Sequence, residues 1–463
     1  MPARRANLPL SRATGVLVAA LGGLAVSGPL TDSSFYTHLA TGRIILDTGI
    51  PRSDPYTFTG AGEPWVVQSW FASLVYGVLE EVAGLRAVRL LTVLLGVAIA
   101  ACAWLLSAGA TSLTARLALV LPVLAIGFDG WSERPLLIGL ACFAAALLVA
   151  EGRLEARWLL PIGWVWVNTH GSWPLGIGVL VLLAVGHRLD GERRPPELRA
   201  LGWLSAGFAA AVLNPYGIGL LTFPVELLSR REELATIVEW KPPTYGRPSE
   251  QVFLLLVVIA AAGLLRRPTW RAALPSAVFV VLAATGARNV LPASLVLLVG
   301  GATSLAGWGS IDGSRTSPLA RPLAGVALAL GIAVGAVVVT TEPLDDSPYP
   351  IAADAWLRDN DLAPSEHRVI AREAVGNWWE LLDGPTGEIF IDDRIEVIPA
   401  AVVHDFDALL EGDPSWEAIL GRYEPEAVLW EADKPLADLL AADASWEIGY
   451  RDDEFVVALP VDG

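Results

Sequence analysis

Apolar residues fill the first three quarters of this chain in long blocks, and polar residues are confined to the gaps between them. The blocks run over Ala13–Leu30, Leu85–Ser107, Ser112–Phe128, Pro135–Ala150, Trp158–Thr169, Trp173–His187, Leu201–Leu213, Val252–Leu265, Ala272–Ala287, Val290–Ala306 and Leu323–Thr340. A helix crossing a bilayer needs about 20 mostly apolar residues, so the pattern predicts a polytopic membrane bundle. Several blocks fall short of that length, and Trp158–Thr169 is the shortest of them. Past Glu342 the pattern changes to short alternating segments. His367–Ala371, Glu388–Ile391, Ala427–Trp430 and Phe455–Leu459 read as strands, and Ala352–Arg358, Val402–Leu410, Trp416–Tyr423 and Pro435–Ala441 as helices. That mixture predicts a small soluble α/β domain. The expected division is therefore a transmembrane part over 1–341 and a soluble part over 342–463.

Arginine orders the loops. Arg153 and Arg157, then Arg188, Arg193, Arg194 and Arg199, then Arg266, Arg267 and Arg271, then Arg315 and Arg321 occupy every second gap. Short arginine-rich loops mark the cytoplasmic face. Counting on that basis gives about 11 spans, with Arg4, Arg5 and Arg12 inside and the tail outside. The first apolar run fits either a cleaved signal peptide or a retained helix. Equally apolar segments follow and need no separate signal, so it is read as retained. Trp65–Val82 is apolar enough to cross, but counting it reverses the parity of everything after it. It is read as a helix lying at the outer surface. Arg86 and Arg89 then stand near the outer face, against the arginine rule. Two outer loops are large, 31–64 and 215–250, and long loops on one face of a bundle are where sites are usually built.

Composition sharpens the division. Charged residues make up 17% of the chain and apolar residues 54%. Residues 342–463 carry 30 acidic and 7 basic side chains, whereas the part before them is basic overall. Such a tail repels phosphate backbones and excludes nucleic acid as a partner. The two cysteines, Cys102 and Cys142, lie within apolar runs and read as small core residues. The chain holds no P-loop, no HExxH, no CxxC and no GxSxG, which argues against a nucleotide-driven pump or a zinc protease.

Candidate chemistry gathers where polar groups interrupt apolar context. Between Ser34 and Leu46, Phe35, Leu39 and Ile45 share one helical face with His38 beside it. This predicts an interfacial amphipathic helix that opens after Asp32. Asp32 is then either the cap of that helix or a carboxylate held at the membrane surface as a general base or beside a metal. Asp54, before Pro55, reads as a turn-former. Further polar positions are Glu133-Arg134, Asn168-Thr169-His170, Asn214–Gly217, Glu239–Lys241 and Arg288-Asn289. A charge at membrane depth is costly and usually faces a cavity or a partner.

These pieces together resemble a known group. Asp32–Trp70 resembles the first outer loop of bacterial polytopic membrane proteins related to the GT-C glycosyltransferases. ERP at Glu133–Pro135, NTHGSWPLG at Asn168–Gly176, NPYG at Asn214–Gly217, EWKPP at Glu239–Pro243 and ARN at Ala287–Asn289 follow in order. IFIDDRIEVI at Ile389–Ile398 resembles a stretch that typically reads FIDGR. The resemblance implies a GT-C-like plasma-membrane protein with an extracytoplasmic C-terminal domain. It implies transfer of a sugar from a polyprenyl-phosphate donor to a cell-envelope acceptor at the outer face, with a divalent metal as a possible cofactor. It implies Asp32 as base, with His38, Arg134, His170 and Arg288 lining the site or holding the donor phosphate. The chain departs from the group at Ser34, where an acid is usual, and at Gln68-Ser69, where His-Glu is usual. Those departures favour a second reading, a non-catalytic protein of the same fold that binds lipid or an envelope partner. Asp32 and the other polar positions favour the enzyme.

Overall fold

The computed structural model describes residues 9–234, 237–309 and 311–461, so Arg4 and Arg5 lie outside the described residues. The helices, in chain order, begin with α1 (Leu10–Ala25), α2 (Ser33–Asp47), α3 (Trp70–Ala83), α4 (Leu85–Leu106), α5 (Leu113–Gly130), α6 (Pro135–Ala150) and α7 (Leu159–Thr169). They continue with α8 (Pro174–Leu189), α9 (Glu197–Ala210), α10 (Gly219–Ser229), α11 (Arg231–Leu234), α12 (Pro248–Arg266), α13 (Trp270–Thr285), α14 (Val290–Ser304) and α15 (Ala320–Thr340). The tail carries α16 (Ile351–Asp359), α17 (Glu373–Asp383), α18 (Ala400–Glu411), α19 (Trp416–Tyr423) and α20 (Pro435–Ala442). Its strands are β1 (Val369–Ile370), β2 (Ala427–Glu431), β3 (Trp446–Arg451) and β4 (Phe455–Pro460).

The chain folds as two compact units. The first comprises Met1–Pro29, Ala83–Pro224 and Ile237–Pro343; the second comprises Leu30–Val82, Val225–Thr236 and Leu344–Gly463. The first large loop thus belongs with the tail.

In the first unit each apolar block became a helix, with ends displaced by up to five residues, as where Ala13–Leu30 became α1 over Leu10–Ala25. Among the described residues four helices are long and apolar enough to cross a membrane: Leu85–Gly109, Leu113–Gly130, Pro248–Arg266 and Ala320–Thr340. Five shorter apolar helices of 10–17 residues accompany them. Only 17% of the apolar window of α15 is buried, and Leu328, Ile332 and Val339 are exposed on it. Apolar faces that wide are at home in hydrocarbon and not in water, which marks a membrane protein. The central helix is α14, buried along nearly its whole length.

Polar groups define the two ends of this unit. At one end the Leu10 and Ser11 amides donate to the carbonyls of Arg315 and Gly313, at 3.2 and 3.0 Å, so α1 and α15 start together. At the other end Arg89, fully buried, donates to the Ser27 carbonyl at 3.1 Å, to Thr341 Oγ1 at 2.7 Å and to the Glu342 carbonyl at 3.3 Å. A cation here satisfies the orphan carbonyls and the negative dipole ends of two parallel helices. The arginine that contradicts the charge rule is therefore a double helix cap, and the first loop and the tail leave this unit at the same end.

α1 and α4 touch backbone to backbone. A Cβ added at Gly96 would stand 2.4 Å from the Gly22 carbonyl oxygen, in the close approach that small residues permit. Gly96→Ala is expected to cost about 1–3 kcal/mol through forced separation of the two helices. Thermal unfolding of the protein in nanodiscs measures it, and an unchanged melting temperature refutes the close contact.

The second unit is built around a sheet of order β1-β2-β4-β3, parallel between β1 and β2 and antiparallel elsewhere. Val428, Trp430, Val456 and Ala458 pack with Leu436, Leu440, Val403, Phe406, Leu409 and Leu420 from α18, α19 and α20. Two sequence expectations need correction. Ile389 lies in no strand: its backbone pairs with the first loop, donating to the Tyr56 carbonyl at 3.2 Å and accepting from the Phe58 amide at 3.0 Å. The apolar face of α2 does not rest on lipid within this fold. Phe35 and Leu39 are fully buried, and Arg43 ties α2 to Glu80 of α3 at 2.7 Å and to the Leu381 carbonyl of α17 at 2.8 Å. Gly42 lies so close to α3 that an added Cβ would stand 2.2 Å from the Ser73 carbonyl oxygen. The apolar stretch 65–82 carries α3 from Trp70, which packs on α2 through Ser73 and Gly77 and leaves Val78 and Val82 exposed.

Candidate active site

Asp32 caps α2. Its carboxylate accepts from the Ser34 amide at 3.1 Å while its backbone stays extended, as a capping residue requires. Both readings of Asp32 survive, because the group is half-buried and reachable while it caps. His38, six residues further on, contacts Ser73 Oγ through Nδ1 at 3.3 Å. Ser34 Oγ donates to the carboxylate of Asp393 from the tail.

Beneath α2 the second unit contains a buried charge network. Arg394, 5% exposed, donates to Asp54 at 2.6 Å and to Asp392 at 3.0 Å. It lies over the rings of Trp65 and Tyr56, 4.3 and 4.8 Å from their centroids. Asp54 also accepts from the Tyr56 amide at 3.0 Å and from Thr57 Oγ1. The expected turn-former does form the turn and is at once the counter-ion of a tail arginine. Glu380 is fully buried beside Asp392 and Arg394. Burial, reinforced by the charge of Asp392, pushes its carboxyl well above the usual range. Arg394 is desolvated as well, yet Asp392, Glu380 and Asp54 outweigh that and secure its charge.

Glu396, just past the network, is pushed by burial up to about 7. A carboxyl raised in the folded state binds more protons folded than unfolded. Its contribution is full below its unfolded value, near 4.5, and is lost as pH rises toward about 7. Glu396→Gln is therefore expected to raise the melting temperature at pH 8 and to leave it unchanged at pH 4. An equal shift at both pH values contradicts this.

The first unit holds the other candidates. Arg134 precedes α6 and donates to Glu239 at 3.2 Å. Arg288 stacks on Trp240, 4.1 Å from the ring centroid. The turn Val238–Trp240 therefore brings these two arginines together. His170 follows α7, and its Nδ1 accepts from the Ser172 amide at 3.1 Å, which leaves Nε2 as the protonated nitrogen of the neutral ring. A Cβ on Gly139 of α6 would meet the Cβ of His170 at 3.3 Å. All three residues lie at one end of the unit. α6, α8 and α13 each have their other end at a second cluster, where Arg271 meets Glu151 at 2.7 Å and Glu197 at 3.0 Å, and His187 meets Glu197 at 2.8 Å. Asn214 closes its turn, donating to the Gly217 carbonyl at 2.8 Å, and reads as structural.

The expected site residues thus divide between the units. Asp32 and His38 stand on α2, and Arg134, His170 and Arg288 share one end of the helical unit. Pattern reading missed Asp393 at Ser34, Glu239 at Arg134 and the Asp54–Arg394 pair; the FIDGR-like stretch was the one signal pointing to two of them. Among the described residues no group of three or more His, Cys, Asp or Glu is placed to hold a metal ion.

No family model matches the sequence, and no curated protein matches it. Among solved structures the chain is similar to the archaeal oligosaccharyltransferase AglB from Archaeoglobus fulgidus, determined in complex with an inhibitory peptide and a dolichol-phosphate. The TM-score is 0.55 at 12% identity, over 91% of this chain and 69% of that one. At that identity the likeness is one of fold: a mostly helical architecture with a small C-terminal sheet.

Proposed function

We propose that this protein is a membrane glycosyltransferase that moves a sugar from a polyprenyl-phosphate donor to a cell-envelope acceptor at the outer membrane face. The observation that carries the reading is Asp32, a reachable carboxylate fixed at the N-terminus of α2 in a chain whose fold resembles a GT-C enzyme along nearly its whole length. That enzyme was captured with a dolichol-phosphate, which supports a lipid-phosphate donor here. The bundle crosses the membrane about 11 times, and the acidic tail is extracytoplasmic.

In this reading Asp32 takes the proton of the acceptor hydroxyl as its oxygen bonds to the anomeric carbon. The bond from that carbon to the phosphate oxygen breaks, and polyprenyl phosphate leaves with the electron pair. Arg134 and Arg288, brought together in the helical unit by the turn Val238–Trp240, carry guanidinium forks suited to phosphate oxygens. His170 offers Nε2–H to the same oxygens, and His38 orients the acceptor.

The test is turnover by the full-length protein in nanodiscs against a panel of polyprenyl-phosphate-linked hexoses and pentoses. Release of free polyprenyl phosphate is the expected result. If no donor is turned over or bound, the non-catalytic reading replaces this one.

A further inference from the structure

The tail grips the α2 terminus from both sides of Asp32. Tyr349 donates its hydroxyl to the Thr31 carbonyl at 3.1 Å, one residue before. Asp393 accepts from the hydroxyl of Ser34, two residues after. Ser34 is thereby bracketed by two carboxylates, with Asp32 on its amide and Asp393 on its hydroxyl. Asp393 is itself fixed. Its amide donates to Asn377 Oδ1 of α17 at 3.2 Å, and its two neighbours, Asp392 and Arg394, are locked into the buried pair with Asp54.

We infer that Asp393 is a positioning residue of the Asp32 site, a carboxylate that the tail delivers to the first turn of α2 in place of one carried by α2 itself. It acts through Ser34. By holding the hydroxyl, it fixes the amide to which the Asp32 carboxylate is bonded, and so the direction in which that carboxylate points. A misplacement of about 1 Å in a reacting group costs on the order of 100-fold in rate. A rigid brace two residues from the base has that leverage. The inference rests on the proposed transferase reading.

The test relocates the carboxylate. In the full-length protein in nanodiscs, with the donor from the panel that wild type uses best, Asp393→Gly is expected to lower kcat about 100-fold with little change in KM. Adding Ser34→Asp to Asp393→Gly is expected to restore most of the loss. Hydrogen exchange by mass spectrometry, over the peptide spanning residues 31–38, is the second readout. Exchange there is expected to rise about tenfold in Asp393→Gly, as a braced helix start becomes free to open. Full activity in Asp393→Gly overturns the inference, as does a double variant no better than the single. If wild type turns over no donor, the transferase reading has failed, and the exchange arm still decides the brace: unchanged exchange in Asp393→Gly overturns it.

Discussion

Replacing Arg394 by alanine is expected to destabilise the second unit by about 3–5 kcal/mol, the usual cost of removing one partner from a buried ion pair. The residue has no route to water that would soften the loss. Its side chain is 5% exposed, and those of Asp54 and Asp392 are fully buried. Without the guanidinium, the carboxylates of Asp54 and Asp392 stay in low dielectric beside Glu380, stripped of the cation that pairs them. Tyr56 and Trp65 also lose the planar group that fills the space between their rings. Because Asp54 belongs to the first loop and Arg394 to the tail, both segments should become protease-sensitive together. Thermal unfolding with limited proteolysis of the full-length protein is the measurement. Combining Arg394→Ala with Asp54→Asn should recover part of the loss, since the second change removes a stranded charge. A loss below about 1 kcal/mol would place the pair in a solvated setting and contradict the burial described.

Asp32→Asn is expected to abolish transfer, by at least the roughly 10²–10⁴-fold that a positioned general base supplies. The change is chosen because asparagine caps helices about as well as aspartate. Its side-chain oxygen still accepts from the Ser34 amide, the 3.1 Å bond that starts α2. Stability should stay nearly constant while chemistry is lost. Turnover of the best donor and the melting temperature, measured on the same preparation, separate the two roles. Wild-type turnover in Asp32→Asn would leave Asp32 as a cap alone.

The membrane helices were legible because each satisfies its backbone hydrogen bonds internally and needs only an apolar surface. Hydropathy along the chain therefore marks them directly, and Pro135–Ala150 matches to the residue. Asp32 was legible as a cap for the same local reason. The sequence also marked Arg134, His170 and Arg288 as polar groups in apolar surroundings. Arg89, which the arginine rule left unexplained, proved to join the ends of α1 and α15 within the helical unit.

Partnerships between distant segments were decided by tertiary structure alone. Arg43 and Leu381 are 338 residues apart, Asp54 and Arg394 are 340, and Ser34 and Asp393 are 359. No periodicity encodes such pairs, because each partner obeys only its own local rule: Asp54 shapes a turn, Arg394 follows an apolar stretch, Ser34 opens a helix. α17 escaped notice because its buried face includes Asn377 and Glu380 among the tryptophans, which blurs the apolar stripe. Ile389 has the composition of a strand but makes only isolated single-residue bridges, to Thr57 of the first loop and to Val369 of β1, so its pairing stays too short to become one. The face of α2 was visible in the sequence; what covers it was not. A helix face records that it must leave water, and only the folded chain determines whether lipid or protein receives it.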